Sequence, residues 1–242
     1  MPIILDKLEQ GSQEWLKARL KCITMSNAGI LLMKGKAKGT KSETRENYLM
    51  KIASEIITGV PAETYKSWDM ARGNALEPFA RAAFEKIKNV KVKEVGFGYL
   101  NSDKAIGASP DGLFNYDHIY GLYRDGLEIK CPQPKEHMLA LATTKLKKQY
   151  MLQMQGNMWV FGSNVWHYMS FCPEFSQPVE IRAIERDEKL ISQIQEQSFL
   201  AVKEVAEIVK NISINTNSEV AQICESAIEI LDLINNREPE VY

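Results

Sequence analysis

The chain has 242 residues, is 45% hydrophobic and 25% charged, and its 30 basic and 31 acidic side chains leave a net charge of −1. That length and composition support a buried core without disulfide or metal staples, and exclude collagen-like, disordered and disulfide-scaffold classes. No run approaches the roughly 20 apolar residues that cross a bilayer, and MPIILDKLEQ is no signal peptide, so a soluble cytoplasmic protein without membrane contact is expected. The average charge hides an asymmetry: residues 1–173 carry +7 and the remainder −8. A basic body with an acidic tail is one pattern of nucleic-acid proteins.

Cys22, Cys131, Cys172 and Cys224 are far apart, and no two of His118, His137 and His167 lie within four residues. Neither zinc nor iron–sulfur spacing is present, and reduced thiols are expected.

In chain order, Ser12 is positioned to cap a helix through about Leu20, with Trp15 on its apolar side. Thr24 or Ser26 opens a short helix ending near Met33. Lys34 to Lys41 is a basic loop of four lysines and two glycines. Ser42 to Thr58 reads as an amphipathic helix, with Leu49, Ile52 and Ile56 on one face and Gly59 as its stop. A further helix is expected from about Asn74, which places Pro78 in its first turn and Glu77 near a helix N-terminus that favours the charged form.

Strand signals follow in VKVKEVGFGYL, in AIGASPDGL with its Pro-Asp-Gly break, and in GLEIKCP. Lys145 to Phe161 is helical, VWHYMSF and VEIRAI are strands, and Asp187 to about Asn211 is a long helix. This order predicts an α/β or α+β fold. NISINTNS is a polar linker before a last amphipathic helix, Glu219 to Asn235.

The chemistry sits in the central strands. Asp111 of Pro-Asp-Gly precedes Glu128 by 17 residues, with Ile129 and Lys130 following. Two carboxylates at adjacent strand ends can share a hard divalent cation, with the Ile129 carbonyl as a third oxygen. Strand side chains repeat every second residue, so Lys130 shares a face with Glu128, where its ammonium can orient or deprotonate an attacking water. An acidic-x-Lys tripeptide also starts a helix at Asp187, so the tripeptide alone is a weak signal.

Six segments strengthen it: EQGSQEWLKARLKCITMS, RGNALEPFAR, GASPDGL, GLEIKCP, YMLQMQGNMWV and AIERDEK, in order from Glu9 to Lys189. Together they resemble the bacteriophage lambda exonuclease, or YqaJ-type viral recombinase, branch of the PD-(D/E)xK nucleases. The resemblance implies a restriction-endonuclease-like core, a central mixed sheet flanked by helices, over residues 1–211. Residues 212–242 form the linker and C-terminal helix, outside the matched region.

The resemblance also implies roles. Asp111, Glu128 and the Ile129 carbonyl ligate magnesium, Lys130 is the catalytic lysine, and Glu77 acts near the metal through water. Gln153 reaches the site from its helix, with Gln155 on another face. Two magnesium ions are expected, and manganese can substitute. Arg19, Ser26 and Ser109 form a pocket for a DNA 5′-phosphate, which suits a guanidinium and hydroxyl donors. The family's wedge residue falls on Met70, and its groove-inserting arginine on Lys36, which lacks the bidentate fork. A further site acid falls on Asn101, with Asp103 nearby.

The implied activity is magnesium-dependent 5′-to-3′ exonuclease digestion of linear double-stranded DNA. It leaves 3′ overhangs for single-strand annealing recombination. A homotrimeric ring, double-stranded DNA ends, a single-strand annealing protein and a phage or prophage source are implied with it. Another PD-(D/E)xK endonuclease and a catalytically inactive DNA-binding module on the same fold are the alternatives.

Overall fold

The computed structural model describes residues 1–35, 37, 40, 42–62, 68–143 and 145–213. After β1 (Ile3–Leu5), Ser12 Oγ accepts from the Trp15 N–H at 3.1 Å and opens α1 (Gln13–Arg19), as its residue type predicts. The chain continues through β2 (Ile23–Thr24), a 3-10 turn at Met25–Asn27 and α2 (Ala28–Leu31). Ser42 Oγ then caps α3 (Glu43–Thr58) through the Arg45 N–H at 3.4 Å. Gly59 ends it with φ 71°, a left-handed conformation that L side chains rarely adopt.

The next helix departs from the sequence reading. α4 spans Trp68–Lys88, so it begins six residues before Asn74 and carries Pro78 in its interior. Proline there removes one main-chain hydrogen bond and crowds the carbonyl of Asn74. Packing holds the helix across that break: Ala80 and Phe84 are fully buried against Phe114, Leu127, Ile129 and Met169. Burying Phe84 alone is worth about 1.5–3 kcal/mol.

The expected strand over Val90–Leu100 shrinks to β3 (Phe97–Tyr99). Its N-terminal half crosses between two hydrophobic clusters, Val92 packing beside Phe84 and Val95 in the main core, with a single bridge from Lys93 to Leu113. There follow β4 (Ile106–Ala108), β5 (Gly112–Asp117), β6 (Leu122–Lys130), α5 (Pro134–Ala142) and α6 (Lys148–Phe161). The described chain closes with β7 (Val165–Phe171), β8 (Val179–Glu185) and α7 (Glu188–Ser213).

The α/β class stands, but the strands form two mixed four-stranded sheets, ordered β1-β3-β4-β2 and β5-β6-β7-β8, where one central sheet was expected. In the first, β2 is parallel to β4 and the other pairs are antiparallel. In the second, β6 is parallel to β7. The chain passes from one sheet to the other through Ser109-Pro110-Asp111, between β4 and β5. Proline's fixed φ and missing N–H suit such a crossing.

α4 covers one face of the second sheet and α6 approaches the other. Alternation along β6 therefore sends Leu127 and Ile129 toward α4, and Gly126, Glu128 and Lys130 toward α6. Gly126 faces its register partner Trp166, whose ring lies 2.3 Å from where a Cβ would stand. Gly156 likewise lets α6 close on Met25, setting α6 against the 3-10 turn that carries Ser26. The segment Glu219–Asn235 lies outside the described residues, and α7 runs two residues beyond the expected boundary at 211. Cys22, Cys131 and Cys172 are free thiols.

Candidate active site

β5 and β6 part at their Asp111 and Lys130 ends. The last ladder pair is Gly112 with Leu127, and the Asp111 N–H still donates to the Leu127 carbonyl at 3.2 Å. Beyond it the Asp111 side chain takes the place of the missing strand, Oδ2 accepting from the Ile129 N–H at 2.6 Å. Within one strand residue, N–H and C=O point to the same edge, so the Ile129 carbonyl faces this gap as well.

Glu128 is fully buried on the α6 side. Its Oε1 accepts from Lys130 Nζ, and its Oε2 from Asn157 Nδ2 at 3.4 Å. The Tyr150 ring of α6 lies 5.3 Å from the same Nζ. α4 supplies Glu77 and, one turn on, Arg81. The Arg81 guanidinium binds the Glu77 carboxylate, donates to the Asp111 carbonyl at 3.0 Å and pairs with Glu94 at 3.0 Å.

Electrostatics follow from burial and crowding. Burial, reinforced by Asp111, pushes the Glu77 carboxyl up to about 7 against the pull of Arg81. Burial pushes Glu128 up to about 7, with Lys130 opposing and Asp111 reinforcing. Asp111 is raised by burial, against Lys130 and the Ile129 N–H. Burial disfavours the Lys130 ammonium, but Glu128 and Asp111 outweigh it and its pKa is raised. The helix-terminus argument for Glu77 is thereby reversed: it sits mid-helix, and its charged form is disfavoured.

Three carboxylates thus crowd one ammonium and one guanidinium. Oxygens of Asp111 and Glu128 with the Ile129 carbonyl are a donor set that fits a hard divalent cation. Among the described residues, no three His, Cys, Asp or Glu side chains form one ligand cluster, since Glu77 is turned to Arg81.

A second group adjoins the first through Pro110. Ser109 Oγ accepts from the Trp15 indole N–H at 3.1 Å and from Arg19 Nη1 at 3.5 Å. The Arg19 guanidinium lies 4.0 Å over the Trp15 ring. Burial lowers its pKa, against the weaker pull of Tyr48, Cys22 and Glu55. Ser26 stands exposed two residues past Thr24, which pairs with Gly107; Ser109 is two residues past Gly107 on the parallel neighbour. The two serines thus follow the ends of adjacent parallel strands, Ser26 in the 3-10 turn after β2, with its Oγ 3.2 Å from Thr24 Oγ1.

Other expected residues are placed less directly. Gln153 is half-buried on the α6 stripe shared by Tyr150 and Asn157, both of which touch the site. Gln155 faces away, bonded to the Glu185 carbonyl at 2.8 Å and the Asp187 N–H at 2.9 Å. Met70 is half-exposed in the first turn of α4, next to Asp69, which accepts from Gln133 just after β6. Lys36 lies outside the described residues.

Asn101 and Asp103 bond each other at 3.2 Å in the β3–β4 turn. That turn is at the opposite end of β4 from Ser109, so neither residue belongs to the site. Strict spacing misleads there because the hairpin reverses between them and Asp111.

Arg81, Asn157 and Tyr150 were not anticipated. Each lies one helical turn from an expected residue: Arg81 from Glu77, and the other two from Gln153. That spacing was the available signal, but their partners are set by tertiary packing.

A family model for the YqaJ-like viral recombinase domain matches residues 14–164. No curated protein matches the chain. Among solved structures, it is similar to an alkaline exonuclease (LHK-Exo) from Laribacter hongkongensis. Identity is 28%, the TM-score is 0.74, and 88% of this chain and 100% of that one are covered. The same enzyme has been solved in complex with dAMP. A phage-related exonuclease from Haemophilus somnus 129PT, 16% identical with a TM-score of 0.58, covers 79% of this chain and 96% of its own, and shares the fold. Among the described residues, no helix is long and apolar enough to cross a membrane. By fold and by the domain spanning residues 14–164, the chain belongs to the YqaJ-like viral recombinase family.

Proposed function

We propose that the chain is a magnesium-dependent exonuclease that degrades one strand of linear double-stranded DNA from its 5′ end. The product is a 3′ overhang ready for single-strand annealing. One observation carries this reading: the Arg19–Ser109 pair is joined through Pro110 to Asp111, beside Glu128 and Lys130. Exonuclease relatives of the same fold support it.

Asp111, Glu128 and the Ile129 carbonyl hold the metal. Magnesium held there would supply Lewis-acid polarisation of a phosphoryl oxygen and a more acidic water. Lys130 carries its proton in this arrangement, so it orients the attacking water and balances charge developing on the phosphate. Glu77, held by Arg81 beside Asp111, would act on the metal through an intervening water. Asn157 and Gln153 steady the Glu128 side from α6. Arg19, Ser26 and Ser109 hold the terminal phosphate so that the next phosphodiester falls at Lys130. Met70, and Lys36 from the basic loop, contact the DNA around the site.

Manganese substitutes for magnesium at an all-oxygen site. The homotrimeric ring and the annealing partner rest on the family resemblance, as does action in a phage-infected bacterial cytoplasm. The test compares linear and covalently closed circular duplexes with magnesium, manganese or EDTA. The linear DNA is digested with either metal while the circle survives; a nicked or linearised circle would mark an endonuclease instead.

A further inference from the structure

The crossing Ser109-Pro110-Asp111 joins the Arg19 group to the carboxylates, and each of its ends is held. Ser109 Oγ accepts from Trp15 and Arg19, while the Asp111 N–H donates to the Leu127 carbonyl and its own carbonyl accepts from Arg81. Pro110 between them has no N–H, so its carbonyl is its only polar main-chain group. The β3–β4 ladder does not reach it, because the last register pair at that end is Gly98 with Ala108.

Side chains from the segment around the start of α1 take over from the ladder. Gln10 Nε2 donates to the Val95 carbonyl at 3.0 Å and to the Pro110 carbonyl at 2.9 Å. Beside it, Trp15 Nε1 donates to the Gly96 carbonyl at 3.0 Å as well as to Ser109. Two adjacent residues before β3 are thus tied to two adjacent residues of the crossing, by one amide and one indole. Gly96 makes room for this: a Cβ there would run into the Leu8 carbonyl, so the segment leading to Gln10 lies directly on its backbone. Among the described residues, Gln10 is the one hydrogen-bond donor to the Pro110 carbonyl.

We propose that Gln10 is a positioning residue for cleavage: by holding the Pro110 carbonyl, it fixes the span between the Ser109 hydroxyl and the Asp111 carboxylate. The proposal rests on the nuclease reading above and adds how the two halves of that site are kept in register. A terminal phosphate held at Arg19 and Ser109 aligns the next phosphodiester with Lys130 only if this span is constant. A loose span spoils the alignment without removing a group from either half.

The test uses the full chain and duplexes with 5′-phosphate or 5′-hydroxyl ends, and compares wild type with Gln10→Met. The substitution keeps the side-chain length and removes both donors, and Gln10 is exposed, so the core is untouched. On 5′-phosphorylated ends kcat falls about tenfold with KM within about twofold, since misalignment slows the step and spares binding. On 5′-hydroxyl ends, which cannot use the pocket, the rate falls less, so the advantage conferred by the phosphate shrinks. Gln10→Asn, whose amide is one carbon short of bridging both carbonyls, repeats the pattern if Gln10→Met fails to fold. Gly126→Val, which costs stability away from the crossing, keeps the full phosphate advantage. An undiminished advantage in Gln10→Met, or an equal loss of it in Gly126→Val, overturns the positioning role. The wild-type protein tests the nuclease reading separately. Wild-type digestion that favours phosphorylated ends, matched by Gln10→Met, keeps the nuclease and removes the role; no digestion by wild type removes both.

Discussion

The Asp111 carboxylate accepts the Ile129 N–H at 2.6 Å, closing by side chain a ladder that β5 and β6 have already left. One oxygen is thereby fixed and the other left for a cation. Asp111→Asn keeps an acceptor for that N–H, so the fold is retained while the charge is lost. Cleavage falls about 100-fold or more, and DNA affinity in EDTA is unchanged within twofold. Stopped digestion together with anisotropy checks both halves. A variant that cleaves at the wild-type rate removes Asp111 from the metal set.

Arg81 ties Glu77, the Asp111 carbonyl and Glu94 together from one guanidinium. Arg81→Gln frees all three, and about a 10- to 100-fold loss in kcat is expected with little change in KM. A magnesium titration should show the concentration for half-maximal rate rising. A change confined to KM would place Arg81 in DNA binding instead.

Arg19 is the only cation bonded to Ser109 among the described residues. Hydrogen bonds to charged groups are worth about 1.5–3 kcal/mol, so Arg19→Ala should cost roughly 10- to 100-fold on 5′-phosphorylated ends. On 5′-hydroxyl ends it should cost little. Matched initial rates on the two duplexes decide the matter, and an equal loss on both discards the phosphate pocket.

Glu77 and Glu128 have ordinary values of 4.5 and folded values of about 7. Between about pH 4.5 and 7 the folded chain holds protons that the unfolded chain releases, so these two groups lower stability as pH rises. A divalent cation relieves that repulsion. The gain in Tm from magnesium over EDTA should therefore be small at pH 5 and grow through pH 7.5. A gain independent of pH would contradict the assignment of these carboxylates to the metal.

Gly126→Val brings a side chain onto the ring of Trp166, which has no room to move in a fully buried position. Overpacking of this kind costs about 1–3 kcal/mol or more, and Tm should drop by several degrees. Thermal melts in magnesium buffer check this directly.

Where structure is local, the sequence reports it well. Ser12 and Ser42 act through their hydroxyls on an N–H three residues on, Gly59 through its own φ, and the period-2 run VWHYMSF became β7 residue for residue. Asp111, Glu128 and Lys130 were legible because they sit in turn and strand positions that alternation orients. The start of α4 was not, because Pro78 signals a helix beginning while burial of Ala80 and Phe84 carries the helix through it. Nor was the division into two sheets, which depends on how the chain turns at Pro110. Arg81 and Asn157 acquire their roles only when α4 and α6 are brought to opposite sides of β6.

One site, built from Asp111, Glu128 and Lys130, is expected to remove nucleotides from a 5′ end. Its most direct measurement digests a linear duplex labelled in one sample at the 5′ ends and in another at the 3′ ends, with wild-type protein and with Lys130→Ala. Rapid release of the 5′ label as mononucleotide and retention of the 3′ label on long fragments are expected, with no release of either label by Lys130→Ala. Release of the 3′ label first, or full activity in Lys130→Ala, would contradict it.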